Sequence, residues 1–138
     1  MAFIRKYIKD RKFVLSLVRD GANEKLLKEH VKQLTEETNE MHPFVELADA
    51  SELHDLSGFS MDGLTKSGAS EIDRRPHKKD KLAVLVSNDV AHHLALSFLS
   101  TSLYYRYDAK VFRDFKESIE WLGVADLEDE INKLRNLS

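Results

Sequence analysis

The sequence predicts an α/β domain built as a mixed β-sheet of about five strands, with an N-terminal hairpin and helices packed on it. Three observations carry this. Leu82 to Val86 is an uninterrupted apolar run of strand length, as in a central strand covered on both faces, and an apolar helix from about Asp89 to Tyr105 follows at once. Lys110 to Arg113 is a second short strand, followed by a helix that contains Ile119, Trp121 and Leu122. Phe3 to Ile8 and Phe13 to Val18 alternate or run apolar on either side of Lys9-Asp-Arg-Lys12, the pattern of an opening hairpin.

The remaining elements fall between these. Asp20-Gly21 ends the second strand. Leu26, Leu27, Val31 and Leu34 mark one face of a helix from about Asn23 to Asn39, with Asn23 as its cap and Pro43 closing the connection. Phe44 to Ala48 is a third strand, ending at Asp49-Ala-Ser51. From Ser51 to Ser60 the pattern is lost. A polar helix is expected from Ser60 to about Asp73, and Arg74-Arg-Pro-His77 is a turn because Pro76 disfavours helix in the residue before it. The helix from Asp89 carries Val90, Leu94, Leu96, Phe98, Leu99 and Leu103 around more than one face, so something besides the sheet must cover part of it. Asp114 with Glu117 three residues on resembles a capping box, Gly123 stands at the C′ position, and Asp126 to Leu137 is a terminal helix through Leu127, Ile131 and Leu134. The 138 residues read as a single domain, 1–138, with its core at about 3–123 and a C-terminal helix at 126–137.

Composition narrows the function classes. The 21 basic and 24 acidic side chains nearly cancel, which argues against nucleic-acid binding. The chain has no cysteine, so disulfides, thiolate metal sites and cysteine nucleophiles are excluded, in keeping with a reducing cytoplasm. Residues 1–12 interrupt every apolar pair with a charge, offering neither a signal-peptide core nor membrane insertion, and a cytoplasmic location is expected. Arg74, Arg75, Lys78, Lys79 and Lys81 crowd one segment and acids crowd Asp114 to Glu130; both read as solvated faces.

In an open sheet of this kind ligands bind beyond the carboxyl ends of the parallel strands, which makes Asp49, Ser87, Asp89 and Asp114 a candidate site. Convergence of Asp49, Asp89 and Asp114 would suit a hard cation and a metal-dependent enzyme. Asp89 and Asp114 also stand where helix N-caps belong. His30, His42, His54, His77, His92 and His93 never recur at a spacing of three or four, and no nucleophile elbow, phosphate-binding glycine loop or dinucleotide fingerprint is present. No catalytic residue, metal or cofactor is therefore expected, and the protein is read as non-enzymatic. Asp55-Leu-Ser-Gly58 suits either a phospho-switch at Ser57 or a turn in which Asp55 and Ser57 bond backbone amides. The surplus apolar surface of Leu96, Leu99, Leu103, Tyr104 and Tyr105 predicts an apolar pocket or a homodimer interface; the competing expectation is that the terminal helix folds back over it.

Three segments carry a resemblance. Phe44-Val-Glu-Leu-Ala-Asp-Ala-Ser51, Lys81-Leu-Ala-Val-Leu-Val86 with its long helix, and above all Val111-Phe-Arg-Asp-Phe-Lys-Glu-Ser-Ile-Glu-Trp-Leu-Gly123 resemble the SpoIIAA-like (STAS-like) family of small bacterial proteins over about residues 3 to 123. The resemblance implies a four-turn βα superhelix, shared with anti-sigma-factor antagonists and CRAL-TRIO lipid-carrier domains. It implies a binding or regulatory module with a protein partner or self-association, or alternatively a carrier or sensor of a small apolar ligand or lipid. In the antagonists the phosphorylated serine follows the central strand within an Asp-Ser-Ser-Gly-like turn. Here Asp49-Ala-Ser51 has that place and Asp55-Leu-Ser-Gly58 has the glycine, so Ser51 and Ser57 are the candidate phospho-acceptors.

Overall fold

Five strands lie side by side in the order in which the chain presents them: β1 (Phe3–Ile8), β2 (Phe13–Val18), β3 (Val45–Asp49), β4 (Lys81–Leu85) and β5 (Asp108–Phe112). The structure is a computed structural model that describes residues 2–66, 80–100 and 108–136. β1 runs antiparallel to β2, with Phe3 opposite Val18 and Ile8 opposite Phe13, and every later pair is parallel. The hairpin closes through a single 3₁₀ turn, Lys9–Arg11, in which Lys12 takes the left-handed φ of 51° and donates its N–H to the Lys9 carbonyl.

Because side chains alternate across a strand, each strand feeds two cores. On one face Phe13, Leu15, Leu17, Leu47, Ala83, Leu85 and Phe112 meet α4 (Phe115–Trp121) and α5 (Glu128–Asn136) through Ile119, Leu122 and Ile131. On the other face Val14, Ala48, Leu82, Val84 and Val111 meet α1 (Glu24–Glu37) and α3 (Asp89–Leu99), with the short helical stretch 61–66 (α2) nearby. The terminal helix therefore does not fold back over α3 as the competing expectation had it. Its apolar stripe is matched by the opposite sheet face, where Ile131 is completely buried.

Helix starts follow side-chain chemistry. Asn23 Oδ1 accepts the Leu26 N–H at 2.9 Å and Asp114 Oδ1 accepts the Lys116 N–H at 2.9 Å, as expected of caps. For α3 the cap is Asn88, whose Oδ1 accepts the Ala91 N–H at 2.8 Å; Asp89 lies one residue inside and bonds Arg113 instead. Gly123, at φ 78°, ends α4 in a Schellman arrangement, with Val124 N–H on the Ile119 carbonyl and Gly123 N–H on Glu120. β5 begins at Asp108, where the ladder pairs it with Lys81, and a 3₁₀ turn at Ala125–Leu127 precedes α5; residues 101–105 of the helix expected from Asp89 to Tyr105 lie outside the described residues. The rest of the expected polar helix and the basic run before Lys81 lie outside the described residues. Among the described residues no helix is long and apolar enough to cross a membrane.

Candidate ligand-binding cavity

Between the second sheet face and the helices α1 and α3 the packing leaves a gap. The gap is a cavity of about 110 Å³, lying within about 770 Å³ of non-atom space when its open mouth is counted. Its walls come from separate elements: Leu82 and Val84 from the sheet, Leu27 and Val31 from α1, Leu94 and Phe98 from α3, and Leu53, Leu56 and Phe59 from the loop after β3. The void has a simple cause. Ala48 and Ala50 on the sheet side and Ala91 and Ala95 on α3 all line it, so facing positions that larger residues would fill are left short.

Among the described residues that line it, two are polar, and they stand together. Glu46, 2% exposed, and His30, 6% exposed, place Nε2 of the ring 3.9 Å from the carboxylate Oε2, beyond hydrogen-bond distance. Ser16, fully buried on the neighbouring strand, donates its hydroxyl to Glu46 Oε2 at 2.8 Å. On its far side His30 Nδ1 lies 3.2 Å from an Arg5 guanidinium nitrogen, and its ring stacks on Phe3 with centroids 4.8 Å apart. A guanidinium has only donors, so Nδ1 must accept and the neutral ring carries its proton on Nε2, toward Glu46. Arg5 is itself fixed by Glu37 at 2.8 Å and by Gln33 at 2.6 Å. The Arg5 hydrogen bond holds the Glu37 carboxyl below its usual range. Tyr7 also donates to Glu37, and burial, ahead of that bond, raises the phenol above its ordinary value.

The loop wall is pinned from outside. Asp20 Oδ1 accepts the backbone N–H groups of His54 and Asp55 at 2.7 and 2.8 Å, the Asp55 bond first among the causes that hold this carboxyl below its ordinary value. Gly58 passes so close to the Ala22 carbonyl and to Asn23 that any Cβ there would collide with backbone. Asp55 and Ser57 form the turn, with Ser57 N–H and hydroxyl both on Asp55 Oδ1 at 3.0 and 2.7 Å, and Ser57 is exposed.

The strand-end residues do not assemble. Asp49 is buried and bonded to Arg135 of α5 at 2.7 Å, while Ser51 donates its N–H and hydroxyl to the other Asp49 oxygen at 3.0 and 2.6 Å. Ser87 is exposed, Asp89 pairs with Arg113 and Asp114 caps α4. Among the described residues no three His, Cys, Asp or Glu side chains could hold a metal ion, so the cation that Asp49, Asp89 and Asp114 would share has no seat. Of the surplus apolar residues, Leu99 is wholly buried against Leu82 and Ala109 and is no surface contributor, Leu96 is 39% exposed, and Leu103, Tyr104 and Tyr105 lie outside the described residues. Leu94 and Phe98, from the same helix, line the cavity.

Sequence reasoning passed over Ser16, Glu46, His30 and Arg5. The signal was present: Ser16 and Glu46 are polar residues inside otherwise apolar strands, and His30 falls with Leu27, Val31 and Leu34 on the inward face of α1. In comparisons with known proteins, no family model matches the chain and no curated protein is significantly similar to it.

Proposed function

We propose that this protein is a non-enzymatic STAS-like binding module, a carrier or sensor whose cavity takes a small, predominantly apolar ligand. The single observation behind this is the cavity itself, whose described lining residues are apolar except for His30 and Glu46. The sequential strand order with one antiparallel strand at its start supports the STAS-like part of the reading, alongside the three resembling segments. A phospho-switch has less behind it, since the hydroxyls of Ser51 and Ser57 are each engaged by the aspartate two residues before.

Benzene tests the reading. Apolar cavities of about 150 Å³ bind benzene while remaining dry, and this one, at about 110 Å³, is of that order. Amide shifts in two-dimensional NMR spectra should concentrate at Leu27, Val31, Val84 and Ala95, and Ala95→Leu should abolish them without lowering the thermal midpoint, because the added carbons occupy space already empty. Unchanged spectra at saturating benzene would dispose of the cavity as a ligand site.

A further inference from the structure

We propose a second ligand site, independent of the apolar cavity: the pocket between α5 and the carboxyl ends of β2 and β3 takes a small zwitterion that carries both an ammonium and a carboxylate group, as an α-amino acid does. Alternation along the strands builds it. Leu17 of β2 stands opposite Asp49 of β3, and both face α5, from which Arg135 and Asn136 close the space. Arg19 follows Leu17 by two residues and Glu52 comes from the turn after β3, so these six residues surround a pocket of about 110 Å³. Ligands of open parallel sheets bind beyond the carboxyl ends of the strands, and this pocket lies there.

The lining carries two guanidinium groups and two carboxylates, and one pair of these is already matched. Arg135 Nε donates to Asp49 Oδ2 at 2.7 Å, and Ser51 donates its N–H and hydroxyl to the other Asp49 oxygen. Arg19 and Glu52 are not matched in this way. Arg19, half-buried, donates one N–H to the Arg135 carbonyl at 3.0 Å and forms no ion pair among the described residues; the exposed Glu52 carboxylate has neither an ion pair nor a hydrogen bond there. Opposite charges that line one small pocket without pairing are complemented together by a molecule that brings a partner for each. A ligand carboxylate takes the remaining N–H groups of the Arg19 fork, and its ammonium turns to Glu52. A dianion such as phosphate would also face Asp49 and Glu52, and a simple amine would also face Arg19 and Arg135, so each is repelled by half of the lining.

The test titrates the full chain at neutral pH with alanine, propionate and propylamine, followed by two-dimensional NMR. Alanine should shift the amides of Arg19, Glu52 and Asn136 and leave those of Leu27, Val31 and Val84 in the apolar cavity unmoved. It should bind about threefold more tightly than propionate, which has nothing for Glu52, and about tenfold more tightly than propylamine, which has nothing for Arg19. Glu52→Gln should bring alanine down to the level of propionate, a loss of about threefold that fits one exposed ion pair. Arg19→Gln should weaken alanine and propionate alike by about tenfold. Propionate binding the wild type as tightly as alanine, or an alanine affinity indifferent to Glu52→Gln, overturns the zwitterion assignment; no shift at these amides in a large excess of alanine overturns the site. Glu52 is exposed, so the decision stands even where Arg19→Gln fails to fold. None of these outcomes bears on the apolar cavity, which benzene tests separately.

Discussion

Arg5 acts on the cavity without touching it, by deciding which nitrogen of His30 bears the proton. Asp20 acts at a similar remove, holding the loop that supplies Leu53 and Leu56 through two backbone N–H groups. Its carboxyl is depressed in the folded state, so the stabilisation it provides is fully present above the unfolded carboxyl value and is lost as pH falls through the lower, folded value. Asp20→Asn keeps an acceptor oxygen but has no such titration. The stability advantage of the wild type over Asp20→Asn, followed by denaturant melts, should therefore be largest at neutral pH and vanish on acidification below about pH 4. An advantage that grows in acid would contradict the assignment.

The caps show how finely residue chemistry could be read in advance. Asn23 and Asp114 behave as their sequence positions suggested, because a side-chain oxygen beside the first turn has few other uses. At α3, two adjacent residues, Asn88 and Asp89, were both suitable, and spacing alone does not choose between them. Asn88→Ala should cost about 1 kcal/mol by chemical denaturation, and Asp89→Ala, which loses only an exposed pair with Arg113, should cost clearly less. The reverse order would place the cap one residue later.

At the scale of elements, α3 explains why an apolar helix can be recognised long before its partners are. Its leucines and phenylalanine are legible in sequence, but they go to three destinations. Leu99 enters the core against β4 and β5, Leu94 and Phe98 face the cavity, and Val90 and Leu96 reach solvent. The cavity itself was not legible from these residues because a void is made by what is short on the opposite wall, here Ala48 and Ala50. The polar floor was illegible for a related reason. Ser16, Glu46 and His30 lie on three elements separated by about thirty residues in sequence at the widest, and they meet only once β2 pairs with β3 and α1 packs on that sheet face. Leu99→Asp measures the same point: a charge placed where exposure is 0% should cost more than about 4 kcal/mol and unfold the chain. A folded variant whose sedimenting mass is halved would instead return Leu99 to a subunit interface.

At the scale of the molecule, the mixed sheet with its opening hairpin was readable because continuous apolar runs and turn residues mark central parallel strands well. Terminal-helix placement was not, since amphipathicity shows that a face is buried and leaves open which sheet face receives it. In the structure α5 crosses back to β2, where Arg135 holds Asp49, Arg19 donates to the Arg135 carbonyl at 3.0 Å, and Lys6 donates to the Leu134 carbonyl at 2.7 Å.

That late crossing bears on how the chain folds as it is made. Each strand joins the edge left by the one before, so the sheet can lengthen as residues emerge from the ribosome, with no strand needing to be threaded between earlier ones. Among the described residues, however, the helices that cover the face carrying Leu15, Leu17 and Leu47 all come after β5. Until those segments emerge, a nearly complete sheet presents an uncovered apolar surface, and that interval is when a nascent chain of this protein is most open to capture by chaperones or by another copy of itself.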